Sequence, residues 1–134
     1  MKKVLNEVLG GIAMTAVLFA TLILLLWCSG HTTYAAERWE SIGTHKLTFY
    51  CNCERCCGRW AGGKTASGVY PERFRTVAVN PAEIGLGETL FIDGFGYRVA
   101  EDTGVPVGTI DIYCPDHNLC LKYGVKYREV WRVY

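Results

Sequence analysis

Two hydrophobic patterns divide the chain. Residues 8–28, VLGGIAMTAVLFATLILLLWC, contain no charged side chain. At about 1.5 Å rise per residue a helix of that length crosses a hydrocarbon layer of roughly 30 Å. Lys2 and Lys3 precede it, so the positive-inside rule predicts a cytoplasmic N-terminus and an external remainder. The run exceeds the about 7–15 apolar residues of a secretory signal core, which favours a retained anchor, but Thr33-Tyr34-Ala35 followed by Ala36 is a small-residue cleavage site. Residues 1–34 are therefore read as a membrane anchor or signal segment. Residues 35–45 follow as a polar connector, with Trp39 near the membrane interface.

After the connector the period falls to two. Leu47–Tyr50, Thr76–Val79, Thr89–Ile92, Tyr97–Ala100, Ile110–Tyr113 and Arg128–Val133 are short runs rich in β-branched and aromatic residues, which predicts strands. Gly- or Pro-containing breaks separate them at GGKTASG, NPAEIGLGE, DGFG and TGVPVG, and IDGFGY reads as a hairpin. Pro115–Tyr123 alone looks helical, with Pro115 at the first position and Gly124 as the cap. Short strands, tight turns and one short helix predict a mainly β, compact barrel over residues 46–134.

Alternation sorts Ile110 and Ile112 to one face of their strand, and Thr109, Asp111 and Tyr113 to the other. An Asp amid β-branched neighbours marks either a sheet edge or a site. Asp102 ends the preceding strand, and the turn Gly104–Gly108 returns the chain, so both acids are placed at one mouth of the barrel. Two carboxyls beside a groove suit glycosidic chemistry if one is kept protonated by burial or by its neighbour.

Charge narrows the class further. The net charge is +1 and basic residues are scattered, which gives no surface for a nucleic acid. Of seven cysteines, Cys28 lies at the membrane edge. The six others, Cys51, Cys53, Cys56, Cys57, Cys114 and Cys120, are disulfide candidates in an external domain. Two alternatives stay open: free thiols, or a metal held by the Cys53-x-x-Cys56 pair with Cys114, His117 or Cys120. The working assignment is no metal and no cofactor. His117, near the helix start, is a candidate groove residue, and His45 is the other titratable imidazole of the external part.

Three segments, TFYCNCERCCGRWAGGKTASG, TVAVNPAEIGLGETLFIDGFGYRVAEDTG and IDIY, resemble in order the three-aspartate (3D) domain of Gram-positive cell-wall proteins. The resemblance covers roughly Lys46 to Val133. It implies a double-psi β-barrel similar to the catalytic core of membrane-bound lytic transglycosylase A, and an enzyme that cuts peptidoglycan. The family's three acids fall on Asn80, Asp102 and Asp111. The first is here an amide, and the 104–108 turn is shorter than the family's and lacks its basic residue.

The resemblance points to Asp111 and Asp102 for catalysis, and to Asn80, Thr103, Gly104, Thr65 and Ser67 for sugar binding; His117 joins the binding set from its place near the helix start. The expected protein is a monomeric peptidoglycan-cleaving enzyme, a lytic transglycosylase or a muramidase-like hydrolase of the MurNAc-GlcNAc β-1,4 bond. It is held at the membrane or secreted to the wall. The competing expectation is a catalytically impaired glycan-binding module using Trp60, Tyr70, Phe95 and Tyr97. A third is a Cys-His nucleophile built on Cys57 or Cys114.

Overall fold

The structure, a computed structural model, describes residues 17, 19–24 and 36–134. Most of the apolar run 8–28, with the anchor, the cleavage site and Cys28, lies outside the described residues. Residues 19–24 are helical and exposed. Among the described residues no helix is long and apolar enough to cross a membrane. Contacts divide the chain after Ala36, and the second unit, Glu37–Tyr134, is the barrel.

Six strands build it: β1 (Trp39–Tyr50), β2 (Thr76–Val79), β3 (Thr89–Ile92), β4 (Gly96–Thr103), β5 (Thr109–Tyr113) and β6 (Lys126–Val133). A one-turn helix α1 (Glu54–Cys57) and a 3-10 turn (Gly58–Trp60) follow β1, and helix α2 (His117–Tyr123) joins β5 to β6. The strands close in the order β1-β5-β2-β4-β3-β6. β1 with β5 and β2 with β4 are parallel; β5–β2, β4–β3, β3–β6 and β6–β1 are antiparallel. Closure leaves no unpaired edge.

All six expected strands are present; four are longer than the pattern predicts, β1 and β4 by the most. β1 begins at Trp39, inside the segment read as connector, because β6 pairs with it from Leu47 back to Trp39. That pairing slips between Ser41 and Gly43, and Gly43 takes φ 84° there, a backbone conformation open to glycine at little steric cost. β4 runs on to Thr103 and carries Asp102 within it.

The barrel is filled by one side of the alternation. Leu47, Val77, Val79, Leu90, Ile92, Ala100, Ile110, Ile112 and Val130 form a continuous core, joined by Ile84 from the loop after β2. Each large aliphatic side chain so buried stabilises by about 1.5–3 kcal/mol. A second, smaller cluster packs α2 onto the end of β1: Cys51, Cys114 and Cys120, with Phe49, Leu119 and Tyr123 against them.

The hairpin at IDGFGY forms as expected, with Phe95 N–H bonded to the Ile92 carbonyl at 2.9 Å. α2 starts later than expected. Asp116 is its N-cap, accepting from Leu119 N–H at 2.8 Å, so Pro115 precedes the helix instead of opening it. A carboxylate that binds an orphan amide is the stronger start signal. Helix α1 is an addition; it forms where Cys56 and Cys57 amides turn back onto the Cys53 carbonyl.

Candidate active site

Ala78 on β2 is paired on one side with Asp111 of β5 and on the other with Asp102 of β4. The two acids thus stand one strand to either side of a methyl group, their backbones about 10 Å apart across two strand spacings. Ala78 is the floor of a cleft of about 600 Å³ whose walls include Tyr50, Trp60, Thr65, Thr103, Asp102 and Asp111.

A bulge puts Asp102 there. β4 pairs Ala100 with Val77 and Asp102 with Ala78, passing over Glu101. Regular alternation from buried Ala100 would turn Asp102 into the core. The extra residue reverses the face, as bulges beside sites commonly do. Glu101 is left buried, at 4% exposure, and is satisfied locally. Its carboxylate accepts from Thr76 Oγ1 at 2.6 Å and Arg75 Nε at 2.8 Å, and its carbonyl accepts from Ser67 N–H at 2.9 Å.

The two carboxyls are held differently. Asp102 Oδ1 accepts from the Ala66 and Thr103 amides at 3.1 and 2.9 Å, and Oδ2 from the Tyr50 hydroxyl at 3.1 Å. Burial, together with the Asp102 carboxylate, pushes the Tyr50 phenol far up, so it remains a donor. Asp111 is bonded to one side chain, accepting from Thr48 Oγ1 at 2.8 Å. Burial lifts its carboxyl above the usual range; the Thr48 bond opposes this and the Asp102 charge adds to it. Asp111 is thus biased toward protonation by its surroundings, beside a second acid whose oxygens accept three hydrogen bonds.

Of the other residues assigned from sequence, Thr65, Thr103 and Gly104 line the cleft. Asn80 and Ser67 are not among the lining residues. Asn80 Nδ2 donates to the Val105 carbonyl at 3.1 Å and Oδ1 accepts from Ala82 N–H at 3.0 Å. The first of these bonds needs a donor that an aspartate lacks, so the amide at this position ties down the short 104–108 turn. Among the four aromatics, Trp60 lines the cleft, 69% exposed. Tyr70 packs under Lys64, Phe95 on Phe49, and Tyr97 on Trp39 and Phe91. Thr48, Tyr50, Ala78 and Glu101 were not anticipated.

His117 lies elsewhere, among sulfurs. Its Nδ1 is 3.6 Å from Cys51 Sγ, 3.6 Å from Cys53 Sγ and 3.5 Å from Cys56 Sγ. Cys51 Sγ is 3.1 Å from Cys53 Sγ and 3.6 Å from Cys56 Sγ. No S–S bond joins any of the six described cysteines. Cys114 precedes α2, so it does not sit on the helix with Cys120; both are buried beside Cys51. Cys57 Sγ donates to the Cys51 carbonyl at 3.3 Å, and Cys57 lines the cleft; burial, then the nearby charges, raises its thiol, which disfavours a nucleophilic thiolate.

No family model matches the chain. Over 83 residues it is 30% identical to a Bacillus subtilis (strain 168) protein named as a cell wall shaping protein, YabE. The match takes in 58% of this chain, which spans 19% of that relative's length.

Proposed function

We propose that the barrel acts on the bacterial cell wall and cleaves the glycan of peptidoglycan, with Asp111 as the acid. The observation that carries this is a half-buried carboxyl, raised by burial, across a single alanine from a second carboxylate in an open cleft. The resemblance to YabE supports the wall as the setting. A closed six-strand barrel with two parallel pairs supports the double-psi and three-aspartate reading. The uncharged run 8–28 behind Lys2 and Lys3 supports an external location.

In this reading protonated Asp111 gives its proton to the oxygen leaving C1 of N-acetylmuramic acid. The resulting carboxylate then accepts the proton of the C6 hydroxyl as that oxygen bonds to C1, closing a 1,6-anhydro ring without water. Asp102, held by Tyr50 and two amides, offsets the positive charge that develops at C1, a contribution of about 10²- to 10³-fold in comparable preorganised sites. A hydrolase would route water to the same carbon with Asp102 as base or nucleophile.

The test is digestion of purified peptidoglycan by the full chain, with mass spectrometry of the fragments. Anhydro ends are expected, and Asp111→Asn should release none; ends heavier by one water would assign the hydrolase instead. Undiminished release by Asp111→Asn would refute the role of Asp111. Exposed Trp60 at the cleft rim favours one other reading, a glycan-binding module. It predicts that the chain sediments with insoluble wall and releases no fragments.

A further inference from the structure

The three sulfurs and one nitrogen described above converge on a point outside the cleft. Their donor atoms all lie within 4.8 Å of one another. Zinc binds thiolate sulfur at about 2.3 Å and imidazole nitrogen at about 2.0–2.1 Å. At a tetrahedral angle these lengths require S···S edges of about 3.8 Å and S···N edges of about 3.5 Å. The observed S···N edges are 3.6, 3.6 and 3.5 Å. Of the two S···S edges to Cys51, that from Cys56 is 3.6 Å and that from Cys53 is shorter, at 3.1 Å.

A disulfide does not account for this arrangement. It would join two sulfurs and leave the third and the imidazole with no reason to converge, whereas all three sulfurs are nearly equidistant from one nitrogen. The backbone brings the sulfurs together: the amides of Cys56 and Cys57 both donate to the Cys53 carbonyl, at 3.1 and 2.9 Å. The one-turn helix α1 creates these bonds by reversing the chain at Cys53. On the other side, Asp116 caps α2 and fixes the first turn that carries His117.

We propose that Cys51, Cys53, Cys56 and His117 form a closed tetrahedral site for zinc, which ties the turn after β1 to the start of α2. Four protein ligands leave no open position, so the ion is structural. Cys56 also lines the cleft, so the ion fixes one of its walls. The site stands whether or not the cleft cleaves glycan. Cys57, Cys114 and Cys120 are outside the ligand set.

The test is elemental analysis of the full chain, produced with zinc in the medium and dialysed against metal-free buffer. One zinc per chain is expected. X-ray absorption at the zinc edge should show three sulfurs and one nitrogen, a readout that needs no variant. Cobalt exchanged into the site should give the intense visible bands of tetrahedral thiolate coordination. His117→Ala should weaken metal binding by more than about 100-fold, beyond the loss typical of an outer-sphere partner, while Cys57→Ser keeps one zinc. Substoichiometric zinc with no cobalt uptake would overturn the proposal. So would a parent-chain mass lowered by two hydrogens through a bridge among Cys51, Cys53 and Cys56, or equal loss of zinc in Cys57→Ser.

Discussion

Glu101 is the residue on which the geometry of the acid pair depends, and replacing it with alanine has a calculable effect. Thr76 is fully buried, and its hydroxyl donates to the Glu101 carboxylate at 2.6 Å. Losing a hydrogen bond to a charged acceptor and stranding the donor costs about 1.5–3 kcal/mol. The second partner, Arg75, has a side chain 54% exposed, so solvent screens that pair and it adds little. Glu101→Ala should therefore destabilise the barrel by about 1.5–3 kcal/mol. For a unit of this size that lowers the melting temperature by roughly 6–24 °C.

Glu101→Gln keeps an acceptor for Thr76 and should lose about half as much. Thr76→Val, placed on Glu101→Ala, removes the stranded hydroxyl and should recover about 1 kcal/mol; the Glu72 amide it also frees is at an exposed residue and can turn to water. Urea unfolding of the full chain in mild detergent, followed by circular dichroism, measures all three. A loss below about 0.5 kcal/mol in Glu101→Ala, or no recovery in the double variant, would mean that Glu101 is not the buried anchor of the bulge.

Three other outcomes are expected. Tyr50→Phe removes one of the three donors to Asp102 while keeping a ring against Tyr113, so wall cleavage should slow by about 10- to 100-fold without unfolding. The Asp111 carboxyl is raised by burial; its native form binds protons that the unfolded chain has already released, so it costs nothing below the ordinary carboxylate range and destabilises increasingly as pH rises through its folded value. Asp111→Asn should therefore gain stability over the parent as pH rises in thermal melts, and parent cleavage should fall over the same interval as the acid form is lost. Glu83 is lowered chiefly by the Gly108 amide at 2.7 Å, with buried His45 at 3.0 Å adding to it. That stabilisation is complete above the ordinary carboxylate range and lost as pH falls through the lowered value, so Glu83→Ala should cost about 1–3 kcal/mol near neutral pH and the difference should shrink in acid.

How much of this was legible follows from which interactions are local. Period two placed Ile110 and Ile112 in the core and Asp111 opposite, because a strand's two faces are set by its own backbone. The strand positions and the IDGFGY hairpin were legible for the same reason. Partners were not: nothing in TFYC says that Thr48 and Tyr50 will lie beside β5, since parallel register is settled by segments far apart in sequence. Asp102 shows the limit most clearly. Its own strand, read regularly, turns it into the barrel, and the bulge that turns it out rests on a buried hydroxyl on β2 and a solvent-screened ion pair to Arg75. The sequence signal was Glu101 itself, a second acid next to the first: neighbours in a strand face opposite sides, so one of the two acids has to turn inward and find partners there. His117 is the converse case: one imidazole on a helix start carries little information until the turn at Cys53 brings three sulfurs to it, and the cysteine spacing alone fits a bridge as well as an ion. Both residues owe their chemistry to a backbone irregularity, a skipped pairing in β4 and a one-turn helix after β1. Hence a change that regularises either stretch should alter the site more than a conservative change in the residues that touch it.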